Sequence, residues 1–189
     1  MIHEVAHGSV AYQLGDPTAK YAGRLSLNPI KHIDPFGTVL LPLMLLFLTA
    51  GNGPVFGWAK PVPVNPFNFK DQKWGDLKVS IAGPLANFSL ALVFGLFIRF
   101  FTLSPSFEII FSLVVIYNLL LGLFNLIPIP PLDGSHILFS FLPERYREVK
   151  IFLRQYGFFI LVFFIFFGLS FLFKAAIFLY SLISGEPML

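Results

Sequence analysis

At 189 residues the chain is long enough for one domain, yet 56% of it is hydrophobic, only 12% is charged and 25 residues are phenylalanine, which excludes an ordinary soluble domain with a charged shell. There is no cysteine, so disulfides and thiolate ligands are excluded and any metal must sit on His, Asp or Glu. The net charge of +3 comes from Lys and Arg lying beside apolar runs, the pattern of cytoplasmic loops, which argues against a nucleic-acid partner and for a lipid bilayer.

Taken in chain order, Ile2 to about Leu14 reads as the end of a helix, closed by Gly15 and the turn-forming Asp16-Pro17. No charged leader with an apolar core precedes it. A metal-binding helix that begins two residues before its first ligand lacks a supporting turn, so an upstream segment reads as missing. Prolines at 29 and 35 make residues 16–35 a loop or short strands. Phe36 to Ala50 is almost wholly apolar but short for a span, and Gly51-Asn52-Gly53-Pro54 ends it. Residues 58–78, with Pro61, Pro63 and Pro66 among four lysines, read as a loop or re-entrant segment.

Two spans follow, 79–101 and 107–127, each close to the roughly 20 residues that a 30 Å hydrocarbon layer requires. The second meets a break at Pro128-Ile129-Pro130-Pro131-Leu132-Asp133-Gly134. His136 to Leu142 reads as a short helix, and Glu144 to Arg154 as a surface loop or interfacial helix. The apolar run from Tyr156 to Ile183, interrupted by Lys174, is the last span. The fold class is an all-α polytopic membrane protein: one domain over residues 1–189, a bundle of transmembrane helices with a buried metal site and irregular or re-entrant loops. The segments 58–78 and 143–155 each carry four Lys or Arg, while 102–106 carries none, which assigns the basic segments and the nearby Asp133 to the cytoplasmic side of the cell membrane.

His3-Glu4-Val5-Ala6-His7 matches H-E-x-x-H. Residues four apart on a helix share a face, so both imidazoles reach one ion while Glu4 lies beside its open position. That is the equipment of zinc-assisted peptide hydrolysis, with Glu4 as general base. Five residues also match by accident in many proteins, but only four histidines occur here and ionisable groups in membrane proteins are costly. A site with two histidines needs a third protein ligand, and Asp133, where prolines break a span, supplies one. Alone, Asp133-Gly134 would read as a turn.

These residues resemble the site-2 proteases, intramembrane zinc proteases that pair H-E-x-x-H with N-x-x-P-x-P-x-x-D-G. Residues Asn125 to Gly134 match the second pattern throughout, and Gly83-Pro84-Leu85-Ala86-Asn87 is similar to the family's G-P-x-x-N element. Gly15-Asp16-Pro17-Thr18, Leu27-Asn28-Pro29, His32-Ile33-Asp34-Pro35 and Pro61-Val62-Pro63-Val64-Asn65 resemble the compact bacterial and archaeal branch, which has no PDZ-like insertion. The resemblance implies a helical membrane core, a zinc ion below the cytoplasmic membrane surface, single-span protein substrates and, ahead of the motif helix, an N-terminal transmembrane segment that the chain reads as lacking.

Asn87 and Asn125 are candidates to hydrogen-bond the substrate backbone or the oxyanion, with helix–helix bonding as the equally weighted alternative. His32 and Asp34 either orient a metal ligand from behind or form a turn, the turn or structural role being favoured, and His136 reads as an outer-shell donor or an interfacial residue. Two other classes compete with the protease: a metal-binding or transport protein using the same three ligands, and a non-catalytic scaffold for single-span proteins. Transport calls for further ionisable groups along the spans, and the central parts of 79–98 and 109–127 contain none. A scaffold would be favoured by loss of the glutamate or aspartate, and both are present.

Overall fold

The computed structural model describes residues 1–52, 55, 57, 59–71 and 74–186. The described residues are helical or irregular and include no strand. They fall into two compact units, Met1–Gln72 and Lys73–Leu189.

In the first unit, helix α1 (Ile2–Gln13) buries His7, Gly8 and Ala11. It stops at Leu14, after which Gly15 takes φ +107°, the left-handed region that favours glycine. The expected loop at 16–35 contains no strand; instead it holds α2 (Thr18–Tyr21) and a 3-10 turn, Pro29–His32, begun by the Asn28 side chain accepting from the Ile30 amide at 3.0 Å. A π-helical turn, Pro35–Leu40, then runs into α3 (Leu41–Leu48). At about 1.5 Å per residue these fourteen residues reach only about 21 Å, short of a hydrocarbon layer of about 30 Å. Residues 59–71 are irregular apart from the 3-10 turn Pro66–Asn68, as their prolines require.

The second unit contains three helices long and apolar enough to cross a membrane. Helix α4 (Gly75–Phe100) and α5 (Pro105–Asn125) form its most extensive pairing, with α7 (Arg147–Ser184) packed on both. Small residues let the backbones approach: a Cβ on Gly95 would lie 2.5 Å from Ile183 Cγ2, and one on Gly122 would lie 3.0 Å from the Phe88 ring. Close van der Waals contact of this kind replaces the hydrophobic drive that lipid cannot supply. Between the helices the Ser112 and Tyr180 hydroxyls pair at 2.7 Å, and around them lie Ala91, Val115, Leu119 and Ala176. Outward, α7 exposes Phe158, Phe159, Phe163, Phe166, Phe167, Phe171 and Phe178, a surface suited to acyl chains and costly in water.

Three boundaries differ from those the sequence suggests. Helix α4 begins at Gly75 rather than 79, so Asp76 and Lys78 belong to its first turn. Helix α6 (Asp133–Phe141) begins at Asp133 rather than His136. The charged stretch after Glu144 is a 3-10 turn followed by the opening turns of α7, because neither Gly nor Pro separates it from the apolar run.

Candidate active site

Helix α1 carries the motif of the first unit. Its i, i+4 spacing brings His3 Nε2 and His7 Nε2 to 3.0 Å, with the ring planes 86° apart. Two ligand nitrogens held about 2.0–2.1 Å from a tetrahedral zinc would be about 3.3 Å apart, so this pair fits one ion without rearrangement. His7 is buried while His3 and Glu4 are half-buried, so the site faces inward without being sealed.

Glu4 Oε2 accepts a hydrogen bond from the Val62 amide at 2.9 Å. This contact is permitted by Gly8, where a Cβ would stand 2.7 Å from Leu25 Cδ2, 2.9 Å from Val62 Cγ1 and 3.1 Å from Ala19 Cβ. The Pro-rich segment is tied to the rest of the first unit at several further points. The Lys60 amide donates to the His32 carbonyl at 3.0 Å, and Arg24 donates to the Lys60 carbonyl at 3.4 Å. The Lys70 amide donates to the Leu14 carbonyl at 2.8 Å.

Asp16, fully buried, is the strongest of these ties. Its carboxylate accepts from the Asn65 amide at 2.7 Å, the Asn68 side chain at 2.8 Å and both the amide and hydroxyl of Thr18. Burial alone would raise its pKa, but the hydrogen bonds from Thr18, Asn65 and Asn68 outweigh it and hold the carboxyl below its ordinary value. Sequence reasoning placed no function on Asp16 or on the Val62 amide. The alternation Pro61-Val62-Pro63 was the available signal, since it leaves Val62 with the only backbone N–H among the three.

His32 is buried, with Nε2 2.7 Å from the Ser26 carbonyl, and Asp34 accepts from the Gly37 amide at 2.6 Å.

In the second unit, Asp133 is the first residue of α6 and half-buried. The preceding break is a run of tight turns: Ile129 N–H to the Ile127 carbonyl at 2.8 Å, Leu132 N–H to the Ile129 carbonyl at 3.0 Å, and Ser135 Oγ to the Leu132 carbonyl at 2.7 Å. The Pro130–Pro131 bond is cis. Gly134 is required by packing, since a Cβ would stand 2.3 Å and 2.4 Å from the Leu126 and Ile127 carbonyl oxygens. The D-G pair is thus a ligand-type residue fixed by a glycine that lets two turns of backbone meet. Asn87 is buried on α4. Asn125 ends α5 and donates to the Leu121 carbonyl of its own helix at 2.9 Å. His136 is exposed, 4.0 Å from Asp76.

The model of "Peptidase family M50" matches residues 101–167. "Putative zinc metalloprotease YwhC" of Bacillus subtilis is 44% identical over 171 residues, covering 83% of this chain and 71% of that protein. "Putative zinc metalloprotease Rip2" of Mycolicibacterium smegmatis is 32% identical over 166 residues, 85% of this chain and 61% of the relative. "Zinc metalloprotease MJ0392" of Methanocaldococcus jannaschii is 38% identical over 82 residues, 43% of this chain and 24% of the relative. No solved structure matches the chain. With the H-E-x-x-H helix, the proline-broken span ending in Asp133-Gly134 and a relative this similar over most of its length, the chain belongs to peptidase family M50, the site-2 proteases.

Proposed function

We propose that His3, His7 and Asp133 hold the zinc of this intramembrane metalloprotease and that Glu4 handles the proton, with peptide bonds in or near transmembrane segments of membrane proteins as the substrate. The observation that carries the reading is the imidazole pair at 3.0 Å on a helix whose Glu4 is tied to the Val62 amide. Asp133 is assigned as the third ligand from its place in Asn125–Gly134. When bound, zinc lowers the pKa of water to about 7 and polarises a carbonyl.

The chain's own residues do the rest. Glu4 takes the proton from the attacking water and delivers it to the leaving amine nitrogen. The Val62 amide fixes the direction of that carboxylate. Asn87 and Asn125 donate amide hydrogens to the substrate backbone or the developing oxyanion. A substrate helix must unwind locally, since its amides are otherwise engaged in its own ladder. We read residues 1–189 as one membrane-embedded protease domain. The basic segments orient the active site toward the cytoplasmic side of the cell membrane.

The test is metal content per chain together with cleavage of a single-span reporter in detergent or proteoliposomes. Glu4→Gln is expected to keep stoichiometric zinc and lose cleavage by about 10²- to 10⁴-fold. Asp133→Ala is expected to lose zinc. Full cleavage in Glu4→Gln overturns its role, and full zinc in Asp133→Ala removes that ligand.

A further inference from the structure

At the basic end of the second unit a recess of about 170 Å³ opens between α4, α6 and α7, lined by Asp76, His136, Phe139, Ser140, Lys150 and Arg154. Lys150 and Arg154 are one turn apart on α7 and face the same space. The Lys150 side chain is only 16% exposed, so its stem is largely covered and its reach is restricted beside the recess. Its partner Glu144, at 3.4 Å, is 85% exposed, and a pair screened in this way holds weakly. The Arg154 guanidinium lies 5.3 Å from the centre of the Phe139 ring, which limits its orientations and leaves its fork presentable. Asp76, on the α4 side, is 4.0 Å from His136 and offers acceptor oxygens.

We infer that this recess binds the phosphate of an anionic glycerophospholipid headgroup. Lys150 and Arg154 take the phosphate oxygens, the arginine with its planar fork and the lysine as a point charge. Asp76 then accepts from headgroup hydroxyls, which favours a glycerol headgroup over a bare phosphate. The volume is below the roughly 300–1,000 Å³ of cavities that enclose drug-sized molecules, and suits a headgroup whose chains remain outside.

The surroundings select a lipid source. Trp74 and Phe141 lie 6.0 Å apart at this same end, an aromatic pair of the kind found at headgroup depth. Along the helices away from this end, Leu85 of α4 and Phe158 and Phe159 of α7 are exposed and provide an apolar track for acyl chains. Basic pockets between transmembrane helices are where anionic headgroups dock.

The experiment uses the delipidated whole chain in neutral detergent, with bound lipid counted by native mass spectrometry during titration with phosphatidylglycerol or phosphatidylcholine. Wild type is expected to prefer phosphatidylglycerol, and Lys150→Ala/Arg154→Ala to weaken that binding by roughly thirtyfold. The control Arg145→Ala/Arg147→Ala keeps the preference, and Arg154→Lys keeps part of it. Equal losses in both double variants would mean a diffuse basic surface and overturn the site. Should the double variant not fold, the wild-type preference and its competition by inorganic phosphate decide. Competition at millimolar phosphate together with lipid selectivity supports the assignment, phosphate binding without lipid selectivity replaces the lipid by a soluble source, and neither response overturns the site.

Discussion

The Glu4 carboxylate is held at 2.9 Å by the amide of Val62, a residue 58 positions further along the chain. The proposed general base is therefore oriented by a backbone amide, and the donor comes from a segment whose prolines remove the competing donors on either side.

Val62→Pro deletes that donor while preserving extended backbone. Hydrogen bonds to charged groups contribute about 1.5–3 kcal/mol, so cleavage should fall about 10- to 150-fold with zinc content unchanged. Val62→Ala keeps the amide and trims a buried side chain; it should lower the thermal midpoint and leave kcat near that of wild type. Equal kcat in Val62→Pro and wild type would show that the tie is dispensable.

Asp16 gives a pH signature. Its folded pKa lies below the unfolded value, so its contribution to stability is complete above that unfolded value of about 4 and drains away as pH falls through the lower folded value. The thermal midpoint of the wild type should drop on acidification below about pH 4, and Asp16→Asn, already deprived of the charged acceptor, should drop less over that window. At neutral pH the same variant should be destabilised by about 2–4 kcal/mol, read as loss of Pro-rich-loop protection in hydrogen exchange.

Two glycines make opposite demands on repair. A methyl at Gly8 would meet the Leu25 and Val62 side chains, which can shift, and at 3.1 Å the Ala19 methyl, which needs to give by only a few tenths of an ångström, so Gly8→Ala should cost about 1–3 kcal/mol and keep zinc. At Gly134 the methyl would meet two backbone carbonyls, which have none. Gly134→Ala should lose monodisperse protein in detergent, whereas Asp133→Ala, one residue earlier, should stay folded.

Tyr180→Phe removes the hydroxyl partner of Ser112 inside the helix bundle. In a membrane such bonds average about 0.6 kcal/mol, so the midpoint should move by only a degree or two and cleavage should be unaffected. A large loss would mean that the pair carries more than local packing.

The membrane fold was legible because lipid-facing helices write their length in apolar residues: the interiors of α4, α5 and α7 were readable from Val79, Phe107 and Tyr156 onward. Their polar ends were not, because Asp76 and Arg147 favour no single structure until the helix behind them exists. The same holds for α6, whose first residue, Asp133, looked like part of a turn. At the candidate site, the grouping of His3, Glu4 and His7 was legible because their spacing is local. The Asp16 ties to Asn65 and Asn68, and the Val62 amide beneath Glu4, join positions about fifty residues apart. No periodicity encodes them.

Helix α7 runs unbroken for 38 residues, about 57 Å at 1.5 Å per residue, nearly twice the thickness of a hydrocarbon layer. Its cationic opening turns and its phenylalanine-covered length are therefore one stiff rod rather than a loop joined to a span. Because the rod is continuous, any tilt that fits its apolar length to a bilayer carries Lys150 and Arg154 along with it.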